Sequence, residues 1–592
     1  MTRRATLSQL GGLFVFVISL ASAWRVTASP AVDGSGSSEV GSPRWRRPTS
    51  LWLSPDHEFL LAGGSKSGTI SVIDTQKRHV VGEYPVGKSV VALAGTPDGR
   101  TLAAVDKLAN ELILMDRHGS RLEVRSRVGL PAQPTNLLLS PDGTYWLVPS
   151  RWARLITRVD QASGQRVGEI SLDFSPHGVI VLPGGKTLLV ADAFGGQLAL
   201  VDLETEQVVR RTSVPGHNLR GFALTPSGKE LLVTQMLITE SAATTRDNVF
   251  WGIAMTSNVR VIPVAALRDV EKNPVREAHT HFFGDPNNGA GDPEAMEILS
   301  DGTAIVCLAG VGEVAVGRYY PYGFLRITVG KRPSALAINA ADNIAYVANA
   351  HSDSISIVDI QRRSVVTTIA LWEEPQLSLA EEGERSFFDA RLSLDGWFSC
   401  HSCHTDGHTN GYKADTFGDG SYGAPKTILS LLGTRDSEPW AWNGSKRQLE
   451  DQVRESLRMT MQPKAPASEG TVAALAAYLR SLEPPPVAAW QSRDKSAIAR
   501  GQQIFQSRDC GNCHAPPIYT DQLTHDVGLN DGEGGNRQFS PPSLRGIAHL
   551  DSFFHDGRAR SLEEVLGRYQ HRLRTALSED ELNDLVAFLK SL

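Results

Sequence analysis

The chain has 592 residues, 41% of them hydrophobic, and a formal net charge of −6. This length predicts roughly two to four domains, and the hydrophobic content is sufficient for several cores. The mild negative charge excludes a strongly basic nucleic-acid-binding protein, so no nucleic-acid partner is expected.

The N-terminus has the features of an export signal. Two arginines precede an apolar stretch, Gly11–Leu20, and small residues suited to a cleavage site follow it. We therefore interpret 1–23 as a signal peptide and expect a periplasmic protein, with an uncleaved anchor as the alternative. The apolar stretch is too short to cross a bilayer comfortably, so no stable membrane span is predicted. Residues 24–44 are rich in glycine and serine, which predicts a flexible linker.

From 45 to 370 one turn pattern recurs about every 40 residues, and a β-rich apolar run follows each copy. The copies begin near Leu53, Thr96, Ser140, Leu182, Thr225, Ser300 and Asn339. A period near 40 residues with strand character is typical of propeller blades, so seven turns predict a seven-bladed β-propeller. The stretches Ala345–Asn349 and Ile355–Asp359 resemble the YVTN family of bacterial β-propellers.

The longer gap between the fifth and sixth turns indicates an insertion at about 236–297. It contains His279 and His281, for which a polar surface loop is favoured over a metal site, because no further ligands cluster nearby. An insertion on one rim of a propeller is a candidate contact for a partner protein or for the C-terminal half of the chain.

Two C-x-x-C-H motifs lie in the second half, Cys400–His404 and Cys510–His514. Two thiols at this spacing can add to the vinyl groups of one porphyrin, and the histidine that follows becomes the proximal iron ligand. The predicted thioether residues are Cys400, Cys403, Cys510 and Cys513, and the predicted proximal ligands are His404 and His514. A zinc site or a redox C-x-x-C is the alternative, but either would leave both trailing histidines unexplained. We therefore expect two covalently bound c-type haems.

The two haem segments share one layout. A glycine followed four residues later by phenylalanine precedes each motif, at Gly383 and at Gly501, and each segment ends in an amphipathic helix. This layout predicts two tandem all-α cytochrome c domains, at 371–486 and 487–592, after the all-β propeller.

The segment 380–592 resembles the bacterial di-haem cytochrome c peroxidase/MauG family. The residues that carry the resemblance are Phe387–Ser393, Trp442-Asn443-Gly444, Pro542–Gly546, Phe553–Arg558 and Ser561–Val565. The resemblance implies one haem for peroxide chemistry and one for electron transfer, with a tryptophan between them. Trp442 matches that bridging tryptophan, and a core tryptophan of a small helical domain is the alternative.

The resemblance also implies the ligand on the second face of each iron, which decides what that haem does. For the second haem, Tyr569 stands where the family has its axial Met or Tyr, and His571 is the alternative. For the first haem, no histidine stands where many family members have one, so an open iron is expected. Met459 or Met461 is the alternative ligand there, at the distance usual for an axial methionine in ordinary cytochromes c.

Two further positions depart from the family. The acid that splits peroxide falls at Gln462, and glutamine cannot act as a general base. The family binds calcium between its domains, and Leu550 and Ser552 stand where it has Thr and Pro. Calcium is therefore only a candidate cofactor beside the two haems.

These features predict a periplasmic di-haem oxidoreductase that uses hydrogen peroxide at the first haem, with electrons relayed from the second through Trp442. A redox partner, either a small cytochrome or a protein substrate, would dock on the propeller. The alternative is a non-catalytic electron-transfer protein or sensor with the propeller as its partner-binding module, which Gln462 and the two methionines favour. Catalysis in the propeller is a third hypothesis, against which the blades show no recurrent ligand set.

Overall fold

A propeller and a helical part follow one another along the chain. The computed structural model describes residues 45–319, 322–372, 376–488, 494–530 and 535–592. The predicted signal peptide and linker lie outside the described residues. Seven four-stranded antiparallel sheets, each made of four consecutive strands, lie between Pro48 and Ala370. The prediction of a seven-bladed propeller followed by helical domains is confirmed.

The blades are numbered in chain order, as are their strands. Blades one and two comprise β1 (Pro48–Leu53), β2 (Phe59–Gly64), β3 (Thr69–Asp74), β4 (His79–Pro85), β5 (Val90–Gly95), β6 (Thr101–Asp106), β7 (Glu111–His118) and β8 (Arg121–Gly129). Blades three and four comprise β9 (Leu138–Leu139), β10 (Tyr145–Ser150), β11 (Leu155–Asp160), β12 (Arg166–Ser171), β13 (Pro176–Val181), β14 (Thr187–Asp192), β15 (Gln197–Asp202) and β16 (Gln207–Ser213). Blades five to seven comprise β17 (Phe222–Leu224), β18 (Glu230–Ile238), β19 (Met255–Pro263), β20 (His279–Phe282), β21 (Pro293–Ile298), β22 (Thr303–Leu308), β23 (Glu313–Tyr319), β24 (Tyr322–Thr328), β25 (Pro333–Asn339), β26 (Ile344–Asn349), β27 (Ser354–Asp359) and β28 (Ser364–Ala370).

The recurrent sequence turn joins the first two strands of a blade. In blade three, Ser140 Oγ donates to Asp142, whose carboxylate accepts the backbone N–H of Thr144 at 3.1 Å. Gly143 has φ +75°, in the left-handed region that favours glycine. Serine and aspartate therefore suit this turn because their side chains hydrogen-bond within it, and glycine suits it because one position needs a positive φ angle.

The ring closes by packing blade one against blade seven. Leu60 and Ile73 of blade one share a buried apolar cluster with Tyr346 and Ile357 of blade seven. Just before β1, the indole of Trp45 donates to the carbonyl of Ala350 at 3.1 Å. A blade cannot bury both faces alone, so this contact completes the apolar surface of the ring.

Blade five carries the insertion predicted from the sequence. The connection between β18 and β19 is 239–254 and contains α1 (Arg246–Phe250), and α2 (Val264–Arg268) and α3 (Pro274–Glu277) lie between β19 and β20. His279 and His281 are on β20, the fourth strand of the blade, with their ring centroids 6.2 Å apart.

The helical part contains two units with one arrangement. Its α-helices are α4 (Leu379–Phe387), α5 (Cys400–Cys403), α6 (Leu449–Glu455), α7 (Glu469–Ser481), α8 (Lys495–Ser507) and α9 (Glu579–Leu589). Two π-helical turns are Ser456–Thr460 and Glu564–Arg568. Short 3-10 turns are Ala390–Leu392, Leu394–Gly396, Thr405–Gly407, Phe417–Asp419, Thr434–Asp436, Cys510–Asn512 and Ile547–His549. Two small sheets pair β29 (Lys413–Ala414) with β30 (Lys426–Thr427) and β31 (His525–Asp526) with β32 (Gln538–Phe539). Among the helices that the structure describes, none is both long enough and apolar enough to span a membrane.

In each helical unit the first helix crosses the last helix, and a glycine lies at the crossing. In the first unit α4 packs on α7, and a Cβ added to Gly383 would lie 1.9 Å from the carbonyl oxygen of Ala474. In the second unit α8 packs on α9, and a Cβ added to Gly501 would lie 2.0 Å from the carbonyl oxygen of Asp584. Only glycine permits this close approach of two backbones, which explains the repeated glycine of the sequence.

Replacing Gly383 by alanine is expected to lower the free energy of unfolding by about 1–3 kcal/mol, because the new methyl group overpacks the crossing of α4 and α7. Gly470 is the matched control: it also lies in α7, and its added Cβ would meet no atom closer than 3.6 Å. Gly470→Ala is expected to raise stability by up to about 1 kcal/mol through helix propensity. Denaturant unfolding followed by circular dichroism measures the free energy of unfolding of both variants. Equal changes in the two variants would contradict the close crossing of α4 and α7.

Candidate haem sites

The first C-x-x-C-H motif opens onto a cavity of about 380 Å³. Cys400 and Cys403, on α5, and the following His404 are all on its wall. The rest of the wall is largely apolar and includes Phe387, Phe398, Ile428, Leu457, Leu475 and Leu479. A mostly apolar cavity of roughly 300–1,000 Å³ with a few polar groups is the usual form of a cofactor site.

His404 is held in the orientation that an iron ligand needs. Its Nδ1 donates to the carbonyl oxygen of Leu429 at 2.8 Å, which leaves the Nε2 lone pair for a metal. Burial lowers the pKa of His404 to about 4, so the imidazole is neutral near pH 7. A backbone carbonyl therefore fixes both the tautomer and the ring direction.

The cysteines of this motif have the state expected of thioether partners. Both are unpaired, and burial raises the pKa of Cys400 and of Cys403 to about 12. Burial in apolar surroundings keeps both thiols in the neutral form. Two thiols, one oriented imidazole and an apolar cavity together fit a covalently attached c-type haem.

The propeller holds the attachment motif directly. Asp292, between β20 and β21, accepts hydrogen bonds from Ser399 Oγ at 2.5 Å and from Ser402 Oγ at 2.7 Å. His217 Nε2 donates to the carbonyl of Ser402 at 2.8 Å. Burial raises the pKa of Asp292, although both serine hydroxyls favour its ionised form. The serines that precede the two cysteines, Ser399 and Ser402, are thus fixed by a propeller carboxylate.

A buried ion cluster fixes the chain just after His404. Asp406 Oδ2 lies 2.8 Å from Arg151 and 2.9 Å from Arg220, and both arginine side chains are only 9% exposed. Burial works against ionisation of Asp406, but the charges of Arg220 and Arg151 hold its pKa well below the usual range. This cluster could not be recognised in the sequence, because Arg151 lies in blade three, Arg220 lies just before the first strand of blade five, and Asp406 follows the haem motif.

Met461, and not Met459, lies in the first cavity. The π-helical turn Ser456–Thr460 extends α6, and Met461 follows it, buried at the cavity wall. Met459 is half-buried and is not part of that wall. Of the two candidate axial methionines, the structure therefore brings only Met461 together with His404.

Gln462 turns away from the cavity. Its Nε2 donates to the carbonyls of Met459 at 2.8 Å and of Thr244 at 3.1 Å, and its backbone has φ +53°. A second glutamine, Gln452 on α6, does line the cavity, and its Oε1 is buried without a hydrogen-bond partner in the described part of the chain. No sequence motif marks Gln452, and only its position on the cavity side of α6 shows that it belongs to the site.

Trp442 connects the two helical units. It lines the first cavity, and its indole donates to the carbonyl of Thr427 at 2.8 Å. The backbone N–H of Thr427 in turn donates to the carbonyl of His555, in the second unit, at 2.7 Å. The rings of Trp442 and His555 are 6.4 Å apart. This position, between the first cavity and the second unit, suits the predicted bridging role.

The second C-x-x-C-H motif has a matching environment. His514 Nδ1 donates to the carbonyl of Tyr519 at 3.1 Å, and burial lowers the pKa of His514. Cys510 packs against a buried cluster that includes Phe505, Leu544, Leu562 and Phe588. The orientation of His514 by a backbone carbonyl repeats that of His404, and Cys510 and Cys513 are likewise unpaired.

Tyr569 and His571 both pack against the ring of Phe554 in the second unit. Tyr569 ends the π-helical turn Glu564–Arg568, as Met461 ends its counterpart, and its hydroxyl donates to the carbonyl of Arg558 at 2.8 Å. Burial, followed by the charge of His514, lowers the pKa of His571 to about 4. Both residues stay candidates for the second axial ligand, and calcium stays a prediction.

Models of three protein families match consecutive segments of the chain. The YNCE-like beta-propeller model matches residues 44–184, the model of di-haem cytochrome c peroxidase matches 378–490, and the cytochrome c model matches 498–592. The resemblances noted in the sequence are thereby confirmed for both halves.

Individual proteins resemble part of the chain. The chain is 30% identical to methylamine utilization protein MauG of Methylorubrum extorquens over 271 residues, 36% of this chain and 76% of that protein. It is 27% identical to cytochrome c551 peroxidase of Nitrosomonas europaea over 277 residues, 36% of this chain and 79% of that protein. Hydrazine synthase of Kuenenia stuttgartiensis, a solved structure, has a TM-score of 0.48 at 19% identity, covering 55% of this chain and 99% of its own.

The di-haem cytochrome c peroxidase model covers the first C-x-x-C-H motif and the cytochrome c model covers the second, and the sites fit covalently bound c-type haem. The chain is a di-haem oxidoreductase with an N-terminal β-propeller, and through its C-terminal part it belongs to the di-haem cytochrome c peroxidase/MauG family.

Proposed function

We propose that this protein is a periplasmic peroxidase-type oxidoreductase. Hydrogen peroxide enters the first haem cavity, and electrons reach it from the second haem through Trp442. The observation that carries the proposal is the position of Trp442, which lines the first cavity and is joined through Thr427 to the backbone of His555. Peroxide takes up two electrons and two protons to give two waters, so a donor must be oxidised in each cycle.

The roles of the residues follow from their contacts. Cys400, Cys403 and His404 would hold the first haem, and Cys510, Cys513 and His514 would hold the second; bound haem supplies iron that exchanges single electrons and activates peroxide. Gln452 offers an unpartnered carbonyl oxygen to a donor in the first cavity. Gln462 neither faces the cavity nor takes up a proton, so protons for the reaction come from another group or from solvent.

The electron donor would be a small cytochrome or an oxidisable protein that docks on the propeller. One end of the propeller already contacts the first haem unit through Asp292, Arg151 and Arg220. The partner surface would therefore lie on the rest of the propeller.

A second candidate function is electron transfer without peroxide chemistry, as a carrier or a sensor. Met461 favours it, because a thioether at the wall of the first cavity can fill the sixth position of the iron and close that haem to ligands. In this case Met461→Leu would convert the first haem to high spin, whereas Met459→Leu would leave its spectrum unchanged.

The relay is tested by replacing Trp442 with phenylalanine, whose ring is much harder to oxidise than indole. In stopped-flow mixing of the half-reduced protein with peroxide, oxidation of the second haem is expected to slow on the order of tenfold or more, equivalent to at least about 1.4 kcal/mol in the barrier. Trp440→Phe is the matched control, because Trp440 lines the same cavity but donates to Thr434 within its own unit. If the second haem is oxidised at the same rate in wild type and in both variants, electron relay through Trp442 is contradicted.

A further inference from the structure

The propeller forms part of the wall of the first haem cavity. The connection between β18 and β19 in blade five supplies Thr239, Ala242, Thr244 and Ala254, and the strand ends supply Ile238 and Met255. The cavity is thus completed by a segment that lies outside the cytochrome units. Residues of this loop meet whatever molecule the cavity takes.

Thr244 is the residue of this loop with unused hydrogen-bonding capacity. It is 6% exposed, and its Oγ1 is buried with no hydrogen-bond partner among the described residues. A buried hydroxyl without a partner is costly, so this hydroxyl is available to a water or a ligand that enters the cavity.

The backbone of Thr244 is firmly held. Its N–H donates to the carbonyl of Asp415 at 2.9 Å, and its carbonyl accepts from Gln462 Nε2 at 3.1 Å and from the hydroxyl of Tyr422 at 3.4 Å. Because both backbone groups are engaged with the cytochrome unit, the backbone of Thr244 has a fixed position at the cavity wall. The contact with Gln462 also sets Thr244 beside the chain segment that carries Met461.

We propose that Thr244 is a ligand-binding residue of the first haem cavity, supplied by the propeller. Its hydroxyl donates a hydrogen bond to the small oxygen-bearing molecule that the cavity takes, which is hydrogen peroxide if the proposed function holds. Gln452 Oε1, the unpartnered acceptor in the same cavity, complements this donor. Peroxide both donates and accepts hydrogen bonds, so one donor and one acceptor suit it.

The test uses the full-length protein with both haems and cyanide as the probe, titrated into the oxidised form and followed by its absorption spectrum. Thr244→Val keeps the shape and removes the hydroxyl, and the dissociation constant of cyanide is expected to rise about five- to tenfold, as for the loss of one hydrogen bond. Thr244→Ser is expected to restore binding to within about twofold. Thr239→Val is the matched control, because Thr239 lines the same cavity from the same loop but is exposed.

The outcomes separate this inference from the proposed function. If the dissociation constant of cyanide is the same in wild-type protein and in Thr244→Val, the role of Thr244 is overturned. The proposed function is unaffected by that result. Wild-type protein that takes up neither cyanide nor peroxide overturns both, because the cavity is then closed to added ligands. If valine disturbs the loop and lowers the haem content, Thr244→Ala removes the hydroxyl without added bulk, and unchanged cyanide affinity in that variant overturns the inference.

Discussion

Replacing Cys400 and Cys403 together by serine is expected to halve the covalent haem content and to abolish the reaction with peroxide. Serine forms no thioether, and a cavity of about 380 Å³ left without its cofactor costs on the order of several kcal/mol of stability. The haem-to-protein ratio by pyridine haemochrome assay and the thermal unfolding midpoint measure the two effects. The midpoint is expected to fall with the haem content.

The second motif provides the matched comparison. Serine at Cys510 and Cys513 is also expected to halve the haem content, but the remaining first haem should still bind cyanide. An unchanged haem content after either double replacement would contradict attachment at that motif. Loss of peroxide reactivity only in the Cys510 and Cys513 variant, with reactivity retained when the first pair is replaced, would reverse the assignment of the two haems.

Replacing Asp406 by asparagine is expected to lower the free energy of unfolding by about 3–5 kcal/mol. The change leaves the guanidinium groups of Arg151 and Arg220, both 9% exposed, buried without the carboxylate that now contacts them. Because Asp406 joins the haem unit to Arg151 of blade three and to Arg220, just before blade five, the variant should also be cleaved faster by protease between propeller and haem unit. Denaturant unfolding and limited proteolysis measure the two effects.

An exposed salt bridge provides the control for the effect of removing a carboxylate charge without burial. Arg454 lies 2.7 Å from Glu469, and their side chains are 44% and 74% exposed. Glu469→Gln is expected to leave the free energy of unfolding almost unchanged, since water screens the pair. A small effect at Asp406, comparable to that at Glu469, would show that the buried cluster does not hold the two parts together.

The features that could be predicted from the sequence are those encoded by single residues or short motifs. The turn around Gly143 and the crossing glycines Gly383 and Gly501 are selected by backbone geometry at single positions, so their residue types report the structure directly. The C-x-x-C-H motifs are equally local, because the chemistry of one porphyrin fixes the spacing of all its partners. Fold class and haem attachment therefore follow from short stretches of sequence.

The contacts between propeller and haem unit could not be predicted in this way. Asp292 and Ser399 are more than 100 residues apart, and neither residue type is unusual in its own stretch. The position of Met461 was undecidable for another reason: the π-helical turn before it adds a residue to the helix, which changes the side on which the following residues lie. Thr244 became a candidate only when its hydroxyl was found buried at the cavity wall.

The internal duplication of the helical part bears on the chemistry of the two sites. Met461 and Tyr569 both end a π-helical turn, and each precedes a glutamine of positive φ, Gln462 at +53° and Gln570 at +45°. The two units therefore present different side chains at one structural position. Met461 places a thioether beside the first cavity, and Tyr569 places a phenol at the matching position of the second unit.

The central claim is that the first haem accepts peroxide while the second supplies electrons. The electron paramagnetic resonance spectrum of the fully oxidised, haem-loaded protein, recorded before and after hydrogen peroxide, tests it most directly. We expect a high-spin signal beside a low-spin one, with the high-spin signal consumed by peroxide. Two low-spin signals untouched by peroxide would contradict the claim, and would mean that Met461 closes the first haem and that the protein is an electron carrier or sensor.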